Sequence, residues 1–359
     1  MIAGATAYGF LILTGRVLGP ERYAALSALW AVIFVAAPGF FFPIEQEVGR
    51  ALSDRRARGV GGGPLVRRAL LAAGAMAAVV VLVTLTVGRP LTDSLFDSDG
   101  LLLAAFLIGV VGYAFELTAR GTLSGNNRFA PYGVLLGTEG IFRLAAAIVL
   151  AVLGVETVGP YGLLVGVAPI VSIAVALPRQ RGLVTPGPDA PWSELSAALG
   201  FLLIGSFLMQ LLVNAGPIAV KLLAAEAEDE LAGRFLAGLV LTRVPLFLFQ
   251  AVQAALLPKL AGLAAAGRRA DFRTGLRRLL FVVVAIGGLA TIGAFLVGPP
   301  LLRILFSEDF QLGRRDLTML AAASAGFMLA QALSQALIAL AGHARAALGW
   351  FLAIATFTV

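Results

Sequence analysis

The sequence predicts an all-α polytopic membrane protein made of two parallel-repeat six-helix bundles, with about eleven transmembrane helices present. Three observations carry this. Hydrophobic residues make up 59% of the 359 residues and charged ones only 13%, whereas soluble domains carry about 25% charged residues. Apolar runs of bilayer-spanning length recur along the whole chain, and hydrocarbon leaves the helix as the economical way to satisfy their backbone. The connections between runs alternate in charge.

The candidate spans are roughly 2–18, 24–44, 69–88, 101–119, 132–153, 160–177, 196–220, 233–257, 279–298, 317–341 and a partial one from 346. The first has no basic leader and no small-residue cleavage site, so it reads as a span and not as a signal peptide. Both ends of the chain stop inside apolar runs, which suggests a shortened form of something longer. Arg50, Arg55, Arg56, Arg58, Arg67 and Arg68 lie between spans two and three, and Lys259, Arg268, Arg269, Arg273, Arg277 and Arg278 between eight and nine. Asp93, Asp97 and Asp99, then Glu226, Glu228, Asp229 and Glu230, mark the opposite side. The positive-inside rule places the Arg-rich loops and the N-terminus in the cytoplasm. The loop carrying Arg303, Arg314 and Arg315 with Glu308, Asp309 and Asp316 is the exception to this alternation.

Pro186, Pro188 and Pro191 with Gly182 and Gly187 cannot continue a helix. They define a cytoplasmic linker over 179–195, between an N-terminal bundle over 1–178 and a C-terminal bundle over 196–359. The halves repeat weakly. Phe42-Pro resembles Leu257-Pro, Gly88-Arg-Pro-Leu resembles Gly298-Pro-Pro-Leu, and Ser124-Gly-Asn-Asn-Arg resembles Ala341-Gly-His-Ala-Arg, in the same order. Same-topology repeats imply an axis along the membrane normal.

The chain also resembles the Wzx-like polysaccharide flippases of the superfamily that includes MATE exporters and MurJ. The resemblance rests on Gly15-Arg-Val-Leu-Gly-Pro-Glu-Arg-Tyr23, where Ala24 replaces the family's glycine, on Glu45-Gln-Glu-Val-Gly-Arg50, and on the stretch from Arg243-Val-Pro to Leu257-Pro-Lys. It covers essentially the whole chain. It implies alternating access between two bundles in the bacterial inner membrane. The cargo would be a polyprenyl-diphosphate-linked oligosaccharide for cell-surface polysaccharide, with a polysaccharide polymerase and glycosyltransferases as partners. No cofactor is implied beyond a proton or sodium gradient. The runner-up to this reading is a small-molecule cargo, as in the cation-coupled MATE exporters. A third possibility is a non-transporting partner that recruits enzymes through its Arg-rich face.

A diphosphate-linked cargo calls for fixed cations in a wet cavity, and the planar guanidinium suits phosphate oxygens. Arg243 lies near the middle of span eight, where an arginine costs roughly 2.5–3.5 kcal/mol on insertion scales. Gln250 shares its face and Gln253 adjoins it. The structural alternative for Arg243 is a carboxylate partner inside the bundle. Glu139 precedes Arg143 by one helical turn, the favourable order for a self-neutralising pair; the functional alternative is a cation for the diphosphate beside a proton-coupled carboxylate. Ser206, Gln210 and Asn214 form a stripe on span seven, either cavity lining or helix glue. Ser324, Met328, Gln331 and Gln335 repeat it on span ten. Lys221 is expected to snorkel to the outer surface. Arg16 and the inner-face pair Glu116 and Arg120 are gate candidates.

Other chemistry is excluded. No cysteine is present, and the single His343 rules out a histidine metal cluster. Gly61-Gly-Gly-Pro lacks the Lys-Ser/Thr of a phosphate loop. The net charge of +7 sits in the loops, where it sets topology and attracts anionic headgroups; it is not a nucleic-acid footprint.

Overall fold

The structure is a computed structural model that describes residues 2–195, 199–223, 228–246, 249, 263–264, 266–340 and 342–357, apart from the side chain of His343. Among the described residues there are eleven α-helices and no strand. The expected all-α membrane fold is met: eight helices are long and apolar enough to cross a bilayer by length and composition. Large apolar side chains such as Leu82, Val83, Phe281 and Leu289 stand exposed, as a lipid-facing surface requires.

Helix α1 (Ile2–Ala57) carries both of the first two spans. A loop between them is expected from the sequence; a single residue, Gly19 with φ 73°, makes the break instead. Only glycine adopts that conformation freely, and Pro20 is pre-set to restart a helix. Helix α2 (Gly63–Thr86) follows, then the short α3 (Gly88–Leu95) inside the predicted outer connection. Asp99 caps α4 (Gly100–Gly125) by accepting from the Leu101 N–H at 2.8 Å. Helices α5 (Phe129–Val152) and α6 (Val158–Ala176) complete the first predicted bundle. A 3-10 turn (Trp192–Glu194) closes the linker before α7 (Leu199–Leu223).

The predicted eighth span is interrupted. Helix α8 (Asp229–Thr242) ends at Arg243, which occupies the C-cap. Pro245 has no N–H, and its ring crowds the carbonyl four residues back, so an unbroken helix through this point is disfavoured. The Arg243 N–H reaches both Leu239 O at 3.2 Å and Val240 O at 3.3 Å. Gln250, Gln253 and the Leu257-Pro-Lys end of this span lie outside the described residues. Helix α9 (Arg269–Leu305) starts within the Arg-rich loop, and α10 (Arg314–Ala339) and α11 (His343–Phe357) follow.

The chain divides into two compact units: Met1–Leu18 with Arg22–Ala224, and Gly19–Glu21 with Ala225–Val359. In the first, α4 packs on α6, α2 and α5, and α5 on α6. Helix α7 groups with this unit. In the second, α10 packs against α9, α8 and α11 around Phe272, Leu279, Val283, Met328 and Ala332.

Candidate functional site

The first unit gathers five charged side chains in one region, four buried and one, Arg120, half-buried. Their meeting begins with a glycine. A Cβ at Gly121 of α4 would lie 2.5 Å from the Glu45 carbonyl oxygen, so the two backbones touch there and only glycine fits. This contact sets Glu45 of α1 beside Arg120 of α4, with Arg120 Nε 3.2 Å from Glu45 Oε2. The two atoms are close enough to attract but are not aligned as a hydrogen bond. Tyr132 of α5 donates its hydroxyl to Glu45 Oε1 at 2.9 Å, and the Arg120 guanidinium lies 5.6 Å from the Tyr132 ring centroid.

Further along α4 and α5 a second group closes. Arg143 pairs with Glu139 one turn earlier on the same helix, as the spacing predicts. Tyr113 of α4 donates to Glu139 Oε1 at 2.6 Å and accepts from Arg143 Nη2 at 3.1 Å. The guanidinium also sits 5.1 Å from the Trp30 ring centroid, in a stack with Phe34 and Phe10. The buried cation thus meets a carboxylate, a phenol and an aromatic face, while Arg143 Nε is left without a hydrogen-bond partner. Between the groups lies Glu116. It is 0% exposed, and neither carboxylate oxygen accepts a hydrogen bond from the protein.

The sequence pairs Glu116 with Arg120; in the structure Arg120 stands against Glu45 instead. The structure thus brings Glu116, Arg120, Glu139 and Arg143 together and adds Glu45, Tyr113, Tyr132 and Trp30, which sequence reasoning left out of the site. A signal for two of them exists: Tyr113 is one turn before Glu116, and Tyr132 two turns before Glu139, on the same helical faces.

The polar stripe on α7 binds α1. Pro38 of α1 has no N–H for the Phe34 carbonyl, and Gln210 Nε2 donates to that oxygen at 2.8 Å. Ser206 donates to the Pro38 carbonyl at 3.0 Å, and Asn214 back to Gln210 O at 3.0 Å. Lys221 does not snorkel: it is 5% exposed and lies 2.6 Å from Asp97, beside the α4 cap. Arg16 is exposed, just before the Gly19 break. In the second unit Arg243 is half-buried at the α8 end, and Gln331 and Gln335 are half-buried on α10, while Met328 belongs to the apolar core.

One arginine of the last turn of α1 has a structural task. Arg55, 2% exposed, donates to Glu194 from Nε at 2.6 Å and Nη2 at 2.9 Å. It also donates to the carbonyls of Gly61, Pro188 and Asp189, at 2.9, 3.0 and 3.0 Å. The hydrogen bonds from the Arg55 guanidinium to Glu194 hold its carboxyl below its ordinary range. The linker is thereby tied to the end of α1. The same end gathers Arg50 on Glu47 and Arg128 on Gln180, whereas Lys221 with Asp97 and Arg22 with the Glu156 carbonyl belong to the acidic connections.

Comparison with known proteins is consistent with this fold. No protein-family model matches the chain. It is 28% identical over 369 residues to the uncharacterized Mycobacterium tuberculosis protein Rv1510, covering 100% of this chain and 82% of that one. It is 26% identical over 357 residues to the uncharacterized Mycobacterium bovis protein Mb3654, covering 96% and 79%. Among solved structures, an inward-facing multidrug resistance MATE family transporter of the MOP superfamily superposes with a TM-score of 0.78 at 17% identity, over 98% of this chain and 84% of that chain. The Vibrio cholerae MATE transporter VcmN in its bent form gives 0.65 at 16% identity, over 97% and 83%. The chain has the fold of the MATE transporters.

Proposed function

We propose that this protein is a multi-pass transporter of the bacterial inner membrane, with its N-terminus in the cytoplasm. Its cargo on this reading is a polyprenyl-diphosphate-linked oligosaccharide, carried to the outer leaflet by alternating access. The observation that carries the reading is an arginine-bearing break in an apolar helix, within a fold shared with transporters: Arg243 caps α8 at Pro245 inside a run predicted to span the bilayer. Irregular backbone at membrane depth is tolerated where it is buried in protein or lines a wet cavity, and a guanidinium there suits a diphosphate. The Arg-rich connections would face the cytoplasm, where they set topology and meet anionic lipids. A polysaccharide polymerase and glycosyltransferases are the partners such a cargo calls for.

A second reading, a cation-coupled exporter of small molecules, is favoured by a different observation: the buried carboxylates Glu116 and Glu139 in the first unit. One experiment separates the two. The protein is reconstituted into vesicles, and protection of a fluorescent diphosphate-linked oligosaccharide from an outside-added quencher is compared with efflux of a cationic dye. Oligosaccharide movement that Arg243→Ala reduces at least tenfold supports the flippase. Dye efflux with no oligosaccharide movement overturns it.

A further inference from the structure

Helix α9 is longer than a bilayer needs. At 1.5 Å per residue its 37 residues run about 55 Å, against about 30 Å of hydrocarbon. The surplus carries charge at the start. Arg269, Arg273, Arg277 and Arg278 precede an apolar run that begins at Leu279, and no further charge follows until Arg303. One face of the helix is buried: Phe272, Leu279 and Val283 join Met328 and Ala332 of α10 in the core of the second unit. The opposite face is exposed and runs Arg273, Arg277, Phe281, Val284, Gly288, at steps of three and four residues. A cationic row thus leads directly into an apolar row on one side of one helix.

Nothing local neutralises the cations. Asp271 is the one acidic residue between Leu231 and Ser307, and it accepts from Arg268 Nε at 2.8 Å. Arg269, Arg273, Arg277 and Arg278 form no ion pair among the described residues. Arg273 and Arg277 stand one turn apart, close enough for both guanidiniums to grip one phosphate. Further along the same stripe a Cβ at Gly288 would meet nothing within 4 Å, so the glycine leaves a shallow notch in the lipid-facing surface. We propose that this face of α9 is a binding site for an anionic phospholipid: Arg273 and Arg277 hold its phosphate, and Phe281, Val284 and the Gly288 notch hold an acyl chain.

Charge, depth and shape agree on this ligand. The guanidiniums border the apolar run, at the level of the headgroup phosphates, where attraction is less screened than in bulk water. Loop arginines attract anionic headgroups diffusely; here the cations are fixed on a helix whose next two turns offer apolar contacts to the same molecule. Arg269 and Arg278 flank the stripe and add to its field. A soluble anion finds the cations alone and forgoes the apolar half of the site. The site rests on the membrane-spanning reading of α9 and not on the identity of the cargo.

The test is native mass spectrometry of the purified full chain, titrated in detergent micelles with phosphatidylglycerol or phosphatidylcholine. One phosphatidylglycerol is expected to bind saturably, and roughly tenfold or more tighter than phosphatidylcholine. Arg273→Gln with Arg277→Gln should abolish that preference. Arg56→Gln with Arg179→Gln, which removes the same charge from exposed positions elsewhere, should change it less than about threefold. No preference in the wild type, equal loss in the two double variants, displacement of the lipid by glycerol 3-phosphate, or tighter binding of a polyglutamate peptide than of the lipid each overturns the proposal. Circular dichroism checks that the variants are folded, and the wild-type comparison of the two lipids needs no variant. A lipid preference that behaves as expected in a protein that moves no oligosaccharide rejects the flippase alone.

Discussion

The α1–α7 contact offers a quantitative test of how this fold meets its backbone hydrogen bonds in lipid. Pro38 deprives the Phe34 carbonyl of its helical donor, and Gln210 Nε2 supplies one at 2.8 Å. Replacing Gln210 with methionine keeps most of the volume and removes the donor. A buried carbonyl left without a partner costs about 1–3 kcal/mol, while interhelical hydrogen bonds measured in membranes average about 0.6 and reach about 1.7 kcal/mol. The orphaned oxygen places this one toward the upper end, so Gln210→Met is expected to lower stability by about 1.5 kcal/mol. In a Pro38→Ala background the new Ala N–H can bond Phe34 O directly, as in any α-helix. There the same change should cost under about 0.5 kcal/mol, leaving a coupling near 1 kcal/mol. The assay is reversible unfolding by dodecyl sulfate in mixed micelles, run on all four members of the cycle. An equal cost in both backgrounds refutes the argument that proline created the demand Gln210 meets.

Three further outcomes follow from the packing. Arg143→Ala leaves the Glu139 carboxylate buried without its cation and should cost about 3 kcal/mol by the same unfolding assay; the double change Arg143→Met with Glu139→Gln should cost clearly less. Gly121→Ala puts a methyl 2.5 Å from the Glu45 carbonyl oxygen and should destabilise by about 1–3 kcal/mol, since backbone cannot yield as a side chain does. Arg55→Ala should expose the Pro-rich linker and speed its cleavage by an added protease at least several-fold. The same tie has a pH dependence: because Arg55 lowers the folded Glu194 carboxyl, the stabilisation is complete above the ordinary carboxylate value and fades as pH falls through the lower folded value. Wild-type linker cleavage should therefore rise in acid, and Glu194→Gln should flatten that response; an unchanged profile refutes the assignment.

The readable parts of the site were those within one helix. Glu139 and Arg143 stand one turn apart, and that spacing alone predicts their pairing, which the structure shows. Glu116 and Arg120 have the same spacing and give the wrong partner, because Gly121 lets α1 come close enough to offer Glu45 as a competitor. Lys221 resembles a snorkelling residue until the cap of α4 brings Asp97 to it. The stripe of Ser206, Gln210 and Asn214 shows in the sequence as a polar face; that its first two members answer carbonyls of α1 does not.

The sequence by itself determined the class and the layout. Apolar runs, proline and glycine breaks and alternating loop charge are local or additive properties, and a bilayer admits few ways to satisfy them. Tertiary structure alone decided which charges meet. Ion pairing inside a bundle depends on how closely two helices approach, here set by the missing Cβ atoms of Gly121 and Gly125 on α4, and on which donors remain once every neighbour has chosen a partner. Glu116 is the carboxylate left without a hydrogen-bond donor, a fact of three dimensions that no spacing along the chain contains.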